Sequence, residues 1–251
     1  MELLKFSQGN SKLGKHIWTV SLLSGWACPF AKDCLSKAYV DEKTGKKSLK
    51  DGKETKFRCF SASQEVIYKN TYNQRKYNFD LLKATKADKM ADLIEKSLPK
   101  GAETIRIHIG GDFYSQVYFD SWVKVAKDNP NILFYAYTKA LPYWIKSIDK
   151  IPTNLKLNAS KGGRMDSLIE KHNLKQAIVV YSEKQAEDLG LEIDHDDTHA
   201  YKSDESFALL IHGSQPKGSE ASLAKEKLKK EGWTGYTKEG RKKEKTKKEK
   251  K

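Results

Sequence analysis

The chain has three cysteines, Cys28, Cys34 and Cys59, all in its first quarter. Five residues separate Cys28 from Cys34, and twenty-four separate Cys34 from Cys59. Structural zinc sites usually combine two close pairs of Cys or His, and no second pair occurs here. Three thiolates suit an iron–sulfur cluster, [4Fe–4S] in particular, with one accessible iron, or a metal held by three ligands. The alternative is three buried thiols that serve as small core residues.

A Gly110-Gly111-Asp112 sequence is the second candidate for a ligand site. Two glycines allow the backbone to approach a ligand closely, and the Asp112 carboxylate could accept hydrogen bonds from an ammonium group. The alternative is a simple turn in which Asp112 caps the next helix. Lys139 is a candidate ligand-binding cation of the same site. His212 opens a Gly- and Ser-containing turn that would bind an anion or would only connect a strand to a helix.

The sequence EIDHDDTH, residues 192–199, concentrates carboxylate and imidazole groups in a short stretch. Such donors suit a divalent metal ion such as Mg²⁺, Mn²⁺ or Fe²⁺. Asp194, Asp196 and His199 are the preferred ligands of this second candidate metal site. The alternative is a solvated acidic loop that pairs with basic residues.

These residues need elements that position them, and six short apolar or β-branched runs predict strands. The runs are His16–Leu23, Thr104–Ile109, Ile132–Thr138, Leu155–Ala159, Ala177–Tyr181 and Phe207–Ile211. Such runs are typical of strands that are buried on both faces of a parallel sheet. Apolar residues at helical spacing predict helices over Thr85–Leu98, begun by a Thr85/Asp88 capping box, and Gln116–Asp128, capped by Ser115.

Strands that alternate with helices predict an α/β fold with a parallel sheet of about six strands. The sheet would be a partial (β/α) barrel or an open doubly wound sheet, and both bind ligands at the carboxyl ends of their strands. Cys28, Asp112, Lys139 and His212 each follow a predicted strand, so we expect one shared site. The segment Asp41–Glu54 is predicted to be a charged surface excursion within the cysteine region.

The composition predicts a folded domain over residues 1–228 and a Lys/Glu-rich, disordered tail over residues 229–251. The formal net charge is +14, and the last eleven residues contain eight Lys or Arg and two Glu. Nucleic acid is a fair partner for such a tail, and the alternative is a solubilising tail. No apolar run reaches the ~20 residues that span a bilayer, and the first fifteen residues, MELLKFSQGNSKLGK, lack an apolar signal core. We therefore expect a cytoplasmic protein without membrane contact, while nothing in the sequence predicts its oligomeric state.

Six blocks of sequence, taken in order, resemble the phage gene product 88 family. They are CPFAKDCLSKA, FRCFSASQE, IRIHIGGDFYS, FYAYTKALPYW, LEIDHDDTHA and IHGSQPKGSEA. The resemblance runs from about Leu13 to about Leu228. It implies a protein of a type encoded by bacteriophages and bacteria, and therefore a location in the bacterial cell.

The order of the candidate sites also resembles that of radical S-adenosylmethionine enzymes. In those enzymes a three-cysteine loop follows the first strand and a Gly-Gly-acid sequence follows the second. The resemblance implies a partial barrel, a [4Fe–4S] cluster and S-adenosylmethionine, whose methionine moiety Gly110, Gly111 and Asp112 would contact. The usual C-x3-C-x2-C spacing is absent, and Cys59 lies beyond an insertion.

Together these patterns predict a phage-type iron–sulfur protein, with a radical-SAM-like enzyme acting on an unknown substrate as the finer prediction. One alternative is a nucleic-acid-binding or processing protein of phage replication whose cysteines are structural or bind zinc. Another is an interaction protein without a small-molecule site. The sequence has no His-hydrophobe-His pair of the kind that rolling-circle initiators need and no G-x-S-x-G nucleophile elbow.

Overall fold

The computed structural model describes residues 2–10, 12–233 and 235–236. The described strands are β1 (Ser7–Gln8), β2 (Ile17–Val20), β3 (Ser36–Val40), β4 (Lys47–Asp51), β5 (Thr104–Ile107), β6 (Leu133–Thr138), β7 (Leu155–Ser160), β8 (Gln176–Val180), β9 (Glu192–Ile193) and β10 (Phe207–Leu210). The α-helices are α1 (Phe60–Ile67), α2 (Lys69–Ala84), α3 (Met90–Ser97), α4 (Gln116–Asp128), α5 (Leu141–Lys146), α6 (Ser167–Lys171), α7 (Glu183–Asp188), α8 (Thr198–Lys202) and α9 (Glu220–Lys230).

Eight of these strands form one sheet in the order β1-β2-β5-β6-β7-β8-β10-β9. All neighbours in it are parallel except β1, which runs antiparallel to β2. The six predicted strands are the six central ones, and they follow one another in chain order without a reversal. The prediction of an α/β fold with a mostly parallel sheet is therefore confirmed. The sheet does not close into a barrel, because β1 and β9 stand at its two edges.

Alternate residues of the central strands pack on opposite sides of the sheet, as the two-residue repeat of a strand requires. Phe134 and Ala136 of β6 face the largest apolar core, to which α3, α4 and α5 also contribute. Tyr135 lies in a second core on the other face, together with Tyr201 of α8. Because both faces are covered, the strands are almost continuously apolar.

Helices are predicted before and after β5, and the predicted start is correct for the second helix and wrong for the first. Ser115 is the N-cap of α4, and its hydroxyl accepts a hydrogen bond from the Tyr118 amide at 3.2 Å, as predicted. Thr85 instead ends α2, where its hydroxyl donates to the Leu81 carbonyl at 2.7 Å. The predicted capping box at Thr85 is therefore wrong, because a helix that the sequence did not indicate occupies the preceding sixteen residues.

The segment predicted as a surface excursion overlaps a β-hairpin formed by β3 and β4. The strands pair antiparallel, with Ser36 opposite Asp51 and Val40 opposite Lys47. Ser36 and Ala38 are buried, whereas every residue of β4 is half-buried or exposed. The hairpin lies between Cys34 and Cys59 in the chain, so it sets the relative positions of these two cysteines.

The folded part of the chain continues beyond the predicted domain boundary. Leu228 lies within α9, and the side chains of Trp233 and Tyr236 after this helix are buried, with their ring centroids 5.0 Å apart. Residues 234 and 237–251 of the predicted tail lie outside the described residues. In the described ranges, no helix has the length and the apolar character that crossing a bilayer requires.

Candidate functional site

A cavity of about 630 Å³ lies at the carboxyl ends of the central strands. Its wall includes all three cysteines and every residue of the predicted small-molecule site, namely Cys28, Cys34, Cys59, Gly110, Gly111, Asp112, Lys139 and His212. Residues that follow different strands therefore line one cavity, and their use as a binding site stays a prediction.

Cys28 lies in the turn that follows β2, and its sulfur accepts a hydrogen bond from the Gly25 amide at 3.3 Å. Gly25 has a φ of +73°, and a Cβ there would collide with the Ser36 carbonyl, so glycine is required for this turn to pack on the hairpin. Burial raises the pKa of the Cys28 thiol well above its ordinary value, and the negative charges of Asp112 and the other two cysteines raise it further. The thiol is therefore protonated at neutral pH unless a cation accompanies it.

Cys59 is the N-cap of α1. Burial raises the pKa of its thiol to about 11, and the charge of Cys34 acts in the same direction. The backbone amides of Ser61 and Ala62, in the first turn of α1, partly oppose this effect. The Cys59 amide donates to the Ser36 hydroxyl at 3.1 Å, which fixes Cys59 to the start of the hairpin.

The turn that follows β10 holds the Cys59 segment from the other side. The Gln215 side chain accepts from the Arg58 amide at 2.8 Å and donates to the Arg58 carbonyl at 3.1 Å. Gly213 has a φ of +76°, and a Cβ there would lie 2.6 Å from the Cβ of Phe60. Ser219 caps α9 by accepting from the Ser222 amide at 3.1 Å. This turn thus connects a strand to a helix and also positions a cysteine.

Asp112 connects the end of β5 to the end of β6. One carboxylate oxygen accepts from the Phe113 amide at 2.7 Å and from the Thr138 hydroxyl at 2.6 Å, and the other accepts from the Lys139 amide at 2.8 Å. Burial raises its pKa to about 6 despite these hydrogen bonds. Asp112 does not cap α4, since Ser115 has that role.

Lys139 and His212 lie on the same wall with different surroundings. The Lys139 ammonium donates to the carbonyl and hydroxyl of Ser160 at 2.8 and 2.6 Å and to the Lys161 carbonyl at 3.1 Å. The His212 ring lies 4.5 Å from the Phe60 ring, centroid to centroid. Burial lowers the pKa of His212 to about 3, so the imidazole is neutral. Lys139 thus stabilises the end of β7, and His212 offers an uncharged nitrogen base.

A buried network of charged and tyrosine side chains also forms part of the cavity wall. Asp197, which has a φ of +69°, accepts from Tyr135 at 3.0 Å and Tyr137 at 3.1 Å and forms ion pairs with Arg106 and Lys12, the latter at 2.6 Å. Burial disfavours the carboxylate, but Arg106 and Lys12 outweigh burial and hold the pKa of Asp197 well below its usual range. Each charge in this network is compensated by a neighbour.

The second predicted metal site has its ligands divided among separate partners. Asp194 accepts from the His199 ring at 3.1 Å and from Lys12 at 3.2 Å. Asp196 accepts from the amide and the hydroxyl of Thr198 at the start of α8. Within the described part of the chain, no three His, Cys, Asp or Glu side chains converge closely enough to hold a single metal ion. The structure therefore brings Asp194 and His199 together and leaves Asp196 apart.

Sequence reasoning missed Lys12, Arg106 and Asp197 as members of the cavity wall. A signal existed for Arg106, because it lies in a strand, TIRI, that is otherwise apolar, and a buried arginine needs a carboxylate partner. No local signal indicated Lys12, since its partners lie more than 180 residues away.

Residues 3–232 match the protein family described as Gene product 88. The chain belongs to the Gene product 88 family. The Gene 88 protein of Mycobacterium phage L5 is 28% identical to it over 90 residues, which are 32% of this chain and 38% of the relative. The Gene 88 protein of Mycobacterium phage D29 is 29% identical over 90 residues, with the same shares. The chain thus spans about 38% of the length of these relatives, and no solved structure matches it at a significant level.

Proposed function

We propose that this Gene product 88 protein binds an iron–sulfur cluster through Cys28, Cys34 and Cys59. One observation carries the proposal: three cysteines, two from the connection between β2 and β3 and one from the start of α1, line one cavity at the carboxyl ends of the strands. Cysteines that serve only as small core residues are ordinarily enclosed by apolar side chains. Here all three are only partly buried and border open space.

The chemistry of the donor set fits a cationic inorganic group. The thiols of Cys28 and Cys59 resist deprotonation, as their raised pKa values indicate. A metal centre would stabilise the thiolates that burial alone disfavours. When bound, an iron–sulfur cluster supplies one-electron transfer. The amide of Gly25 and the N-terminus of α1 would support the negative charge on the sulfurs, and such hydrogen bonds tune cluster potentials.

A multi-iron cluster fits the three cysteines better than a single zinc ion. A zinc ion needs all of its ligands at about 2.0–2.3 Å. The cysteines of the described structure do not meet a single-ion arrangement. The thiolates of a cluster each bind a different iron and can therefore be further apart.

The finer part of the proposal is that the cluster serves radical-SAM-like chemistry. Two features support it: the parallel strands follow one another in chain order, as in a partial (β/α) barrel, and Gly110-Gly111-Asp112 follows the second of them. Asp112 already accepts three protein hydrogen bonds, so an ammonium group would have to share its carboxylate. Gly110 packs closely against the start of α1, because a Cβ there would collide with the Ser61 hydroxyl.

The test is anaerobic reconstitution of the full chain with iron and sulfide, followed by metal and sulfide analysis and visible spectroscopy. We expect a brown protein with about four irons per chain and thiolate-to-iron absorption. Single Cys→Ser variants at positions 28, 34 and 59 should each lose most of the iron. His172→Asn, which changes a potential ligand at the end of α6, outside the cavity wall, is the matched control and should retain it.

A colourless protein after reconstitution, or one zinc per chain with no sulfide, would contradict the cluster. The finer proposal is tested separately by equilibrium dialysis of S-adenosylmethionine against the reconstituted protein. Binding that requires the cluster supports radical-SAM-like chemistry, whereas a cluster without such binding overturns only this finer part.

A further inference from the structure

The β3–β4 hairpin presents a row of cations and aromatic rings on its outer face. Lys37 and Tyr39 lie on one side of β3, and Lys50 is the cross-strand neighbour of Lys37. Trp26, from the turn that carries Cys28, packs edge-on against Tyr39 with ring centroids 5.1 Å apart. We call these four residues, Trp26, Lys37, Tyr39 and Lys50, the basic–aromatic patch.

Within the patch the ammonium groups lie over the rings. The Lys37 nitrogen is 4.6 Å from the Trp26 ring centroid, and the Lys50 nitrogen is 4.7 Å from that of Tyr39. The Trp26 indole donates to the Ala38 carbonyl at 3.1 Å, which fixes its orientation. Trp26 nevertheless remains 42% exposed. The patch therefore presents the Trp26 ring in a fixed orientation, accessible to solvent and close to two cations.

No carboxylate neutralises the two lysines of the patch in the part of the chain that the structure describes. Asp51, the nearest acid in β4, pairs with Arg58 at 2.6 Å. Asp41 in the hairpin turn accepts from the amides of Lys43 and Thr44. Two like charges directly opposite each other destabilise a β-ladder. The hairpin tolerates this repulsion and keeps both cations accessible. Such a surface is complementary to an anionic partner.

We propose that the basic–aromatic patch binds single-stranded nucleic acid. Phosphate groups would contact Lys37 and Lys50, and a base would stack on Trp26. Non-specific single-strand binding combines a positive surface with aromatic rings in this way. The bases of a duplex are already stacked on one another, and an acidic protein or lipid would not need the ring. The interaction does not depend on the proposed cluster.

The test measures binding of a fluorescent oligothymidylate of about twelve nucleotides to the full chain, from about 50 to about 200 mM salt. The double variant K37Q/K50Q should bind about tenfold more weakly at the lowest salt, and the slope of log K against log salt should shrink by about 1.4. Trp26→Leu should weaken binding about fivefold or more without changing the slope.

The control is K124Q/K184Q, which removes two exposed lysines from helical ion pairs with Asp128 and Asp188. It should change affinity less than about twofold. Equal losses in the control and the patch variant would overturn the proposal, because binding would then follow the overall charge. Tighter binding of duplex DNA or of acidic vesicles, with no effect of Trp26→Leu, would also overturn it.

Two further measurements separate this proposal from folding and from the cluster. Thermal unfolding should show that each variant folds, and K37Q/K50Q should be at least as stable as the unmodified chain because it removes a pair of like charges. Iron content after reconstitution should also be unchanged. A patch variant that loses oligonucleotide binding and keeps its iron supports the patch alone.

Discussion

Asp112 accepts three hydrogen bonds from the protein, yet burial still raises its pKa to about 6. An acid whose pKa is higher in the folded than in the unfolded chain holds its proton more tightly when folded. Its contribution to stability is therefore greatest below pH 3.8 and declines as the pH rises through about 6. Above that pH the folded protein contains a buried carboxylate that costs up to about 3 kcal/mol.

The variant Asp112→Asn tests this at the residue scale. Its amide nitrogen would face the Lys139 amide, so one buried donor loses its acceptor at a cost of about 1–3 kcal/mol. The variant has no proton to lose, so its stability should decline less than that of the unmodified chain between pH 4 and pH 7. Urea unfolding at several pH values measures both effects. A stability difference between the two proteins that stays constant with pH would contradict a raised pKa for Asp112.

Gly111 lies in the connection between β5 and α4, and its close packing restricts the path that this connection can take. It has a φ of +87°, and a Cβ there would lie 2.7 Å from the Cβ of Leu22, the residue that follows β2 by two positions. The connection can therefore lie against the turn that carries Cys28 only if this residue has no side chain. The Leu22 amide also donates to the Gly110 carbonyl at 2.8 Å.

Gly111→Ala should lower the free energy of unfolding by about 3 kcal/mol or more, because it adds a clash to a strained backbone. Gly101→Ala is the matched control. Gly101 has a φ of +71° and open space where its Cβ would be, so only the backbone strain of about 1–2 kcal/mol should appear. Chemical denaturation of both variants provides the comparison. Equal losses would mean that contact with Leu22 has no effect.

The sequence correctly predicts the elements whose own residue pattern indicates that they are buried. The central strands are predicted because runs such as those around Ile105 and Phe134 are apolar on both faces. The hairpin is missed because charged residues dominate β4 and only Ser36 and Ala38 of β3 are buried. Its position depends on α1 packing against it, and no pattern within the hairpin reports that contact.

At the scale of the whole molecule, the ion pairs of Asp197 connect distant parts of the chain. Lys12 lies before the first central strand, Arg106 lies in β5, and Asp197 immediately precedes α8. Burial disfavours the Lys12 ammonium, but Asp197, Tyr236 and Asp194 together outweigh burial, and the pKa of Lys12 is raised. The network therefore holds opposite charges together in the protein interior, where a single unpaired charge would be strongly unfavourable.

Arg106→Leu should destabilise the protein by about 3–5 kcal/mol at pH 7, because it leaves Asp197 with too little compensating charge. Arg164→Leu, which breaks the exposed pair with Glu54, should cost less than about 1 kcal/mol. The carboxylate contributes its stability above pH 3.8 and loses it in more acidic solution, where Asp197 becomes protonated. The gap between Arg106→Leu and the unmodified chain, measured by urea unfolding, should therefore narrow in acid.

The sequence predicts the candidate site through one rule, that α/β folds bind ligands at the carboxyl ends of their strands. Only residues that follow a strand could be predicted in this way. That rule placed Cys28, Asp112 and Lys139 around one cavity, because each lies in the segment that follows a strand. It could not place Lys12 in the cavity wall or show that Gln215 holds the Arg58 backbone, because these contacts depend on how distant segments pack. It also could not show that the Asp112 oxygens already have partners within the protein.

The two edge strands of the sheet have a consequence for behaviour at high concentration. β1 and β9 contain two residues each. An edge of this length offers too few free backbone groups to pair with the edge of another molecule, which is the usual route to cross-β aggregation. The central strands, among the most apolar segments of the chain, are thus shielded from self-association by the shortest strands of the sheet.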